Sequence, residues 1–310
     1  MNDPLPPELL DHLVLADGSR WVIAAGDEEA ASIVSRLADA MQLRVKSPSA
    51  SPPPARLGTN WTGAALAPRR GKARRLLVLV DAHEPESSPA TRHAPLHFED
   101  DVPVVCVLAS FPHGDGRYVQ LMELSSILAR DAQNRGGVLL HGALAEKDGI
   151  GVILAAPGGT GKTTASDRLP APWRSLCDDT TLVVRDSQGN HWAHPWPTWS
   201  RFLWGEPGGT WDVQNAVPLK GIFFLSQAVE DRAESVGPGH AVTLLVECAK
   251  QASQLMTRGL SREEARALHL ERFGNLCALA RAVPAHVLHI SLTGAFWQEI
   301  EGTLEGSQQD

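Results

Sequence analysis

A continuous apolar run, Gly151 to Ala155, stops at Ala156-Pro157-Gly158-Gly159-Thr160-Gly161-Lys162-Thr163, and helix-compatible sequence resumes from Lys162 to Leu169. The run has the length and texture of a strand. Gly158, Gly159 and Gly161 let the backbone wrap closely around a ligand, because side chains there would collide with it. The helix that follows points its unpaired N–H groups back at the loop, as an anion site requires. The spacing is that of a Walker A phosphate loop with alanine in place of the first glycine. It predicts that Pro157, Gly158, Gly159, Thr160, Gly161, Lys162, Thr163 and Thr164 hold ATP. Lys162 supplies a point charge to the β and γ phosphates, and the Thr163 hydroxyl ligates Mg²⁺. The plainer alternative is a glycine-rich turn capped by Thr160, which needs no lysine.

Asp178 and Asp179 follow, at the start of the apolar run Thr180 to Val184. Adjacent carboxylates repel, and a cation or a shared proton relieves the cost. Alone, such a pair reads as a turn or a helix cap. After a phosphate loop it reads as support for Mg²⁺ bridging the phosphates of ATP.

Length and charge set the outer limits. A chain of 310 residues holds one large or two medium cores, and a net charge of -8 argues against nucleic acid, whose affinity rests on clustered Lys and Arg. Cys106, Cys177, Cys248 and Cys277 lie far apart, mostly in apolar stretches, which suits buried free thiols in a reducing cytoplasm. The N-terminal residues lack the basic and apolar regions of a signal peptide, and no apolar run approaches the ~20 residues that span a bilayer. A cytoplasmic protein with no membrane partner is expected.

The organisation predicted is α/β in two parts: an N-terminal α/β accessory domain over residues 1–133 and a P-loop domain over residues 134–310. In the first, Leu13 and Leu15 alternate with polar residues, Trp21 to Ile23 follow an Asp-Gly-Ser turn, and Asp27 opens an alanine-rich helix. Leu76 to Val80 and Val102 to Ala109 read as strands of a buried sheet. Ahead of Leu76, residues 47–75 combine serine, proline and basic residues in a composition that cannot bury enough apolar surface to order itself, so a disordered insertion is expected there. Leu121, Leu124, Ile127 and Leu128 share one face of a helix over residues 118–133 that leads into the second part. Near the C-terminus, Ser261 and Glu264 have capping-box spacing ahead of a helix through Leu268, Leu276 and Leu279 that stops near Pro284.

His141-Gly142, the Asp148 to Leu154 strand, the loop ending Gly161-Lys162-Thr163, and Asp178-Asp179 together resemble the catalytic core of bacterial HPr kinase/phosphorylase. That core is itself closer to phosphoenolpyruvate carboxykinase than to adenylate-kinase-like proteins, and the matching stretch runs from Gly137 to Val184. The resemblance implies that His141 lies by the transferring phosphate, that Lys162 and Thr163 serve nucleotide and metal, that Asp178 supports the metal, and that Asp179 accepts the substrate hydroxyl proton. The segment serving that family's reverse reaction has no counterpart here, and Glu206 is the nearest match to its metal-binding glutamate. Trp196 to Trp204 and Asn275 to Pro284 are similar to the ScmC family of SynChlorMet peptide-modification cassettes. That context implies a peptide or peptide-derived substrate, a PqqD-like peptide-binding partner and radical SAM enzymes.

The expected function is therefore phosphotransfer from ATP to a hydroxyl, serine first, of a peptide or a small hydroxyl-bearing substrate, with His141, Lys162 and Asp179 catalytic. A nucleotide-gated peptide-binding or assembly protein without transfer is the reading from another class, and self-association into a homo-oligomer stays open. His191 and His194 sit three apart on a strand and face opposite sides, which disfavours chelation of one ion. The tryptophans from Trp192 to Trp211 are dense enough that some should line the acceptor pocket, with core packing the default for each. Cys177 reads as a buried, inert thiol.

Overall fold

A computed structural model describes residues 11–45, 74–81, 104–110, 117–156, 161–199, 209–257 and 260–306. The N-terminal elements are β1 (Asp11–Val14), β2 (Arg20–Ala25), α1 (Glu28–Met41), β3 (Arg44–Val45), β4 (Arg74–Asp81), β5 (Val104–Ala109) and α2 (Arg117–Asn134). Their strands form a five-stranded sheet in the order β3-β1-β2-β4-β5. The β1–β2 hairpin turns where Ser19 N–H bonds to the Asp17 carboxylate, and α1 starts where Asp27 accepts the Ala30 N–H at 2.7 Å. The second Asp27 oxygen accepts the Val80 N–H at 2.8 Å, so one cap residue fixes both the helix and its distance from β4.

Two expectations change. Residues 47–73 lie outside the described residues, but Arg74 and Arg75, assigned above to the insertion, begin β4. Arg74 is buried against the Asp131 carboxylate, and a paired guanidinium at a strand start is structured backbone rather than loop. The runs read as strands of a buried sheet are strands, yet β5 alternates, with Val105 39 % and Val107 43 % exposed. A run apolar at every position cannot reveal that one sheet face is left uncovered.

The C-terminal elements are β6 (Val138–Lys147), β7 (Ile150–Ala155), α3 (Lys162–Arg168), β8 (Arg174–Cys177), β9 (Thr180–Arg185), β10 (His191–Trp196), β11 (Val217–Gln227), β12 (Arg232–Val236), α4 (Pro238–Ala252), α5 (Arg262–Ala282), β13 (Ala285–Ile290) and α6 (Phe296–Gly306). The eight-stranded sheet runs β10-β9-β6-β7-β11-β13-β12, with β8 beside β6. β7, β11 and β13 are parallel, whereas β6 and β12 flank them antiparallel. Parallel neighbours need long crossovers, and α4 with α5 supplies the one between β11 and β13. The capping box holds as its spacing predicts: Ser261 accepts the Glu264 N–H, and the Glu264 carboxylate accepts the Ser261 N–H.

The larger core runs from Leu13 and Trp21 through Leu121, Leu124, Ile127 and Leu128 of α2 to Leu182, Leu245 and Leu279. A second core packs Val152, Leu154 and Leu288 against Phe296 and Ile300 of α6. α2 joins the two sheets. Asp131, fully buried, accepts from Trp21 Nε1 and pairs with Arg74 and Arg135, while Gln133 accepts from Arg272 and Asn275 bonds to the carbonyls of Gln133 and Gly137. His194 makes a second tie: its Nε2 accepts from Ala16 N–H at 3.1 Å, and its Nδ1 donates to Val213 O at 2.7 Å. Both ring nitrogens are thereby used, and burial lowers the pKa of a group held neutral in this way.

Candidate active site

Strand β7 delivers the chain to Ala156 at the C-terminal end of the parallel strands, and α3 leaves from Lys162. Pro157, Gly158, Gly159 and Thr160 lie outside the described residues. Gly161 precedes α3 with φ +101°, a left-handed conformation that glycine adopts without the clash a Cβ brings. The far end of α3 is anchored by Arg168, whose guanidinium donates to Ser291 O at 2.7 Å and Gly294 O at 2.6 Å. Ser166 bonds to Ser175 of β8 on its flank.

The hairpin β6–β7 turns at Asp148 and Gly149, both with positive φ, in the two-residue form that Asp-Gly favours. On its other edge β6 pairs with β9, which brings His141 opposite Thr180, so the Asp178-Asp179 corner sits beside the imidazole. The corner is pinned through the main chain: Gly142 N–H donates to Asp179 O at 2.7 Å, and Thr181 Oγ1 donates to Gly142 O at 2.9 Å. A Cβ on Gly142 would come within 2.8 Å of Ile153 Cγ2, so glycine beside His141 lets β6 lie close on β7.

These elements bring together the three residues expected to be catalytic. Lys162 Nζ lies 2.8 Å from His141 Nε2 and donates to Ala156 O at 2.9 Å, and His141 Nδ1 lies 3.3 Å from Asp179 Oδ1. An ammonium can only donate, so Nε2 accepts and the ring proton on Nδ1 faces the carboxylate. The result is a relay of alternating donors and acceptors from lysine through histidine to aspartate. Lys162 is buried although it is charged. Burial pulls its pKa down, opposed by the nearby carboxylates, Asp179 before Asp178. A buried ammonium facing a carbonyl and an imidazole has acceptors that an anionic ligand would replace.

Thr163 and Thr164, on the first turn of α3, are exposed, and Asp178 is half-buried. No cluster of three or more His, Cys, Asp or Glu suited to a metal is present among the described residues. The two side chains expected to support Mg²⁺, the Thr163 hydroxyl and the Asp178 carboxylate, are oxygen donors of the kind that ion takes alongside waters and phosphate oxygens. Glu206 lies outside the described residues. His191 and His194 do not form a metal pair: His194 is spent on Ala16 and Val213, and His191 borders a separate cleft. Burial pushes the Cys177 thiol up to about 11, in keeping with an inert side chain.

A cavity of about 430 Å³ opens beside His141 and Asp179. Trp196 and Trp199 line it, as expected of part of the tryptophan cluster, whereas Trp192 bonds to Asp186 in a turn and Trp211 packs behind Trp199. Sequence reasoning missed Tyr118, Met122 and Ser125 of α2 and Gln251 of α4, which complete the wall. Their helices carry no motif, and only packing brings them to the site. A larger cleft of about 580 Å³ lies at the opposite end of the parallel strands, bordered by Ile150, Leu219 and Pro284, away from Lys162.

No helix among the described residues is long and apolar enough to cross a membrane. Comparison with curated proteins finds no matching relative. Residues 104–305 match the family described as SynChlorMet cassette protein ScmC, a stretch that takes in α2, the glycine-rich segment 156–163, the Asp178-Asp179 corner and all of the C-terminal sheet. The match covers well over half of the chain, which belongs to the ScmC family.

Proposed function

We propose that the chain is an ATP-dependent phosphotransferase of the HPr-kinase-like P-loop type, moving the γ-phosphate of ATP to a hydroxyl, serine first, of a peptide or peptide-derived substrate. The observation that carries this reading is the Lys162–His141–Asp179 relay at the mouth of a cavity. A lysine after a glycine-rich turn also exists in plain nucleotide-binding proteins, but a carboxylate tied to it through an imidazole supplies a base beside the place where a terminal phosphate would lie.

In the proposed reaction Lys162 turns from Ala156 O toward the β and γ phosphates and stabilises the charge on the transferred group, with the first turn of α3. Asp179 orients the acceptor hydroxyl and takes its proton as the new O–P bond forms and the bond from Pγ to the ADP oxygen breaks, the electron pair leaving with ADP. His141, between the ammonium and the carboxylate, keeps both in register. Mg²⁺ held by Thr163 and Asp178 would neutralise phosphate charge. The family name sets the protein in a cassette with other proteins, and a PqqD-like peptide carrier and radical SAM enzymes are the partners this reading implies.

The test is mass spectrometry of serine-bearing peptides and small hydroxyl compounds incubated with the protein and ATP·Mg²⁺. A phosphate increment on a peptide hydroxyl supports the proposal. ATP binding with no increment on any acceptor favours the nucleotide-gated binding protein instead.

A further inference from the structure

We infer that the cavity beside His141 and Asp179 receives the residue neighbouring the acceptor hydroxyl in a peptide, and that it selects a bulky apolar or aromatic side chain there. This rests on the phosphotransfer reading, and it names the substrate class of the same site.

Volume, wall chemistry and position support that occupant. The volume, about 430 Å³, lies within the range of about 300 to 1,000 Å³ typical of ligand pockets. The wall formed by Trp196, Trp199, Met122 and Leu139 is apolar, and Trp199 is fixed rather than free to swing. Its Nε1–H donates to Ser125 Oγ at 3.1 Å, and Trp211 packs edge-on at 6.5 Å. A preorganised aromatic wall favours a flat or branched apolar side chain, since little ordering cost remains to be met on binding.

Position points to a peptide side chain. His141 and Asp179 line the same cavity as Trp196 and Trp199, so a hydroxyl oriented by Asp179 has the neighbouring side chain within reach of the tryptophan wall. Among the described residues that line the cavity, Asp179 is the only carboxylate, so an acidic flanking side chain would meet a like charge there.

The test uses the full-length protein and equal-length peptides carrying one serine flanked by Trp, Leu, Gly or Asp, with free serine as comparison. Calorimetric titration gives affinities without ATP, and mass spectrometry with ATP·Mg²⁺ gives relative kcat/KM. Burying one large apolar side chain predicts that Trp- and Leu-flanked peptides bind at least about tenfold tighter than the Gly-flanked one, with the Asp-flanked peptide and free serine weakest. Met122→Trp, confirmed folded by circular dichroism, should fill the space and bring the flank preference close to one. Equal affinities for all flanks, tighter binding of free serine, or an undiminished flank preference in folded Met122→Trp would overturn the inference. The two levels separate cleanly: selective binding without transfer keeps the cavity assignment and removes phosphotransfer, while transfer with no flank preference does the reverse.

Discussion

Replacing Asp179 with asparagine removes charge and basicity while leaving the local structure in place. The corner is held by the main-chain bond from Gly142 N–H to the residue 179 carbonyl at 2.7 Å, which the substitution does not touch. Asparagine also keeps an oxygen where His141 Nδ1–H points, 3.3 Å away in the native protein, so the imidazole stays oriented and Lys162 keeps its acceptor. What is lost is the base. A positioned general base contributes a factor of about 10² to 10⁴, so the barrier should rise by about 3 to 5 kcal/mol at about 1.4 kcal/mol per decade. Affinity for ATP without metal should hold or rise slightly, since a carboxylate near the phosphates repels them, and affinity for ATP·Mg²⁺ should change modestly. Single-turnover phosphate transfer to the best peptide, measured across a Mg²⁺ titration, separates a lost base from a lost metal ligand. Equal transfer rates for Asp179→Asn and the native protein at saturating Mg²⁺ would refute the role given to Asp179.

Three further outcomes follow from the same geometry. ATP·Mg²⁺ at a hundred times Kd should stabilise the native protein by about 2.7 kcal/mol, a melting shift of several degrees, and Lys162→Ala should abolish most of it; a full shift in the variant would remove Lys162 from the site. Asp131→Ala removes the carboxylate paired with the buried Arg74 guanidinium, while Arg135 keeps Asp17, and should cost about 3 to 5 kcal/mol in urea unfolding, with a loss below about 1 kcal/mol contradicting the link that α2 makes between the sheets. Alkylation needs thiolate, and burial raises Cys106 to about 12 and both Cys177 and Cys248 to about 11, so iodoacetamide at pH 8 should label half-buried Cys277 first; early labelling of Cys248 would show that the space around Lys162 is open to solvent.

Local signals in the sequence proved readable wherever one short segment carries the whole physical cause. Asp27 as a cap, the Ser261 and Glu264 capping box and the apolar face of α2 each depend on residues a few positions apart. The edge at Arg74 was misread because its basic neighbours look solvent-exposed, and only the buried Asp131 carboxylate, far along the chain, makes a strand start there.

At the candidate site the sequence by itself determined the chemical types and their order: a glycine-rich turn, a lysine at a helix start and a pair of carboxylates before a strand. The tertiary structure decided what those groups touch. Antiparallel pairing of β6 with both β7 and β9 sets His141 between Lys162 and Asp179, a contact no spacing along the chain encodes. The same holds for the cavity, whose wall is drawn from α2, β10 and α4. Those elements carry ordinary packing residues, and they become a binding surface only because burial of the apolar faces of α2 and α4 against the sheet leaves Met122, Ser125 and Gln251 facing Trp196 and Trp199. Hydrophobic burial fixes where helices lie without regard to the chemistry exposed on their remaining faces, so a chain's reactive groups can be read in order while the pocket that serves them cannot.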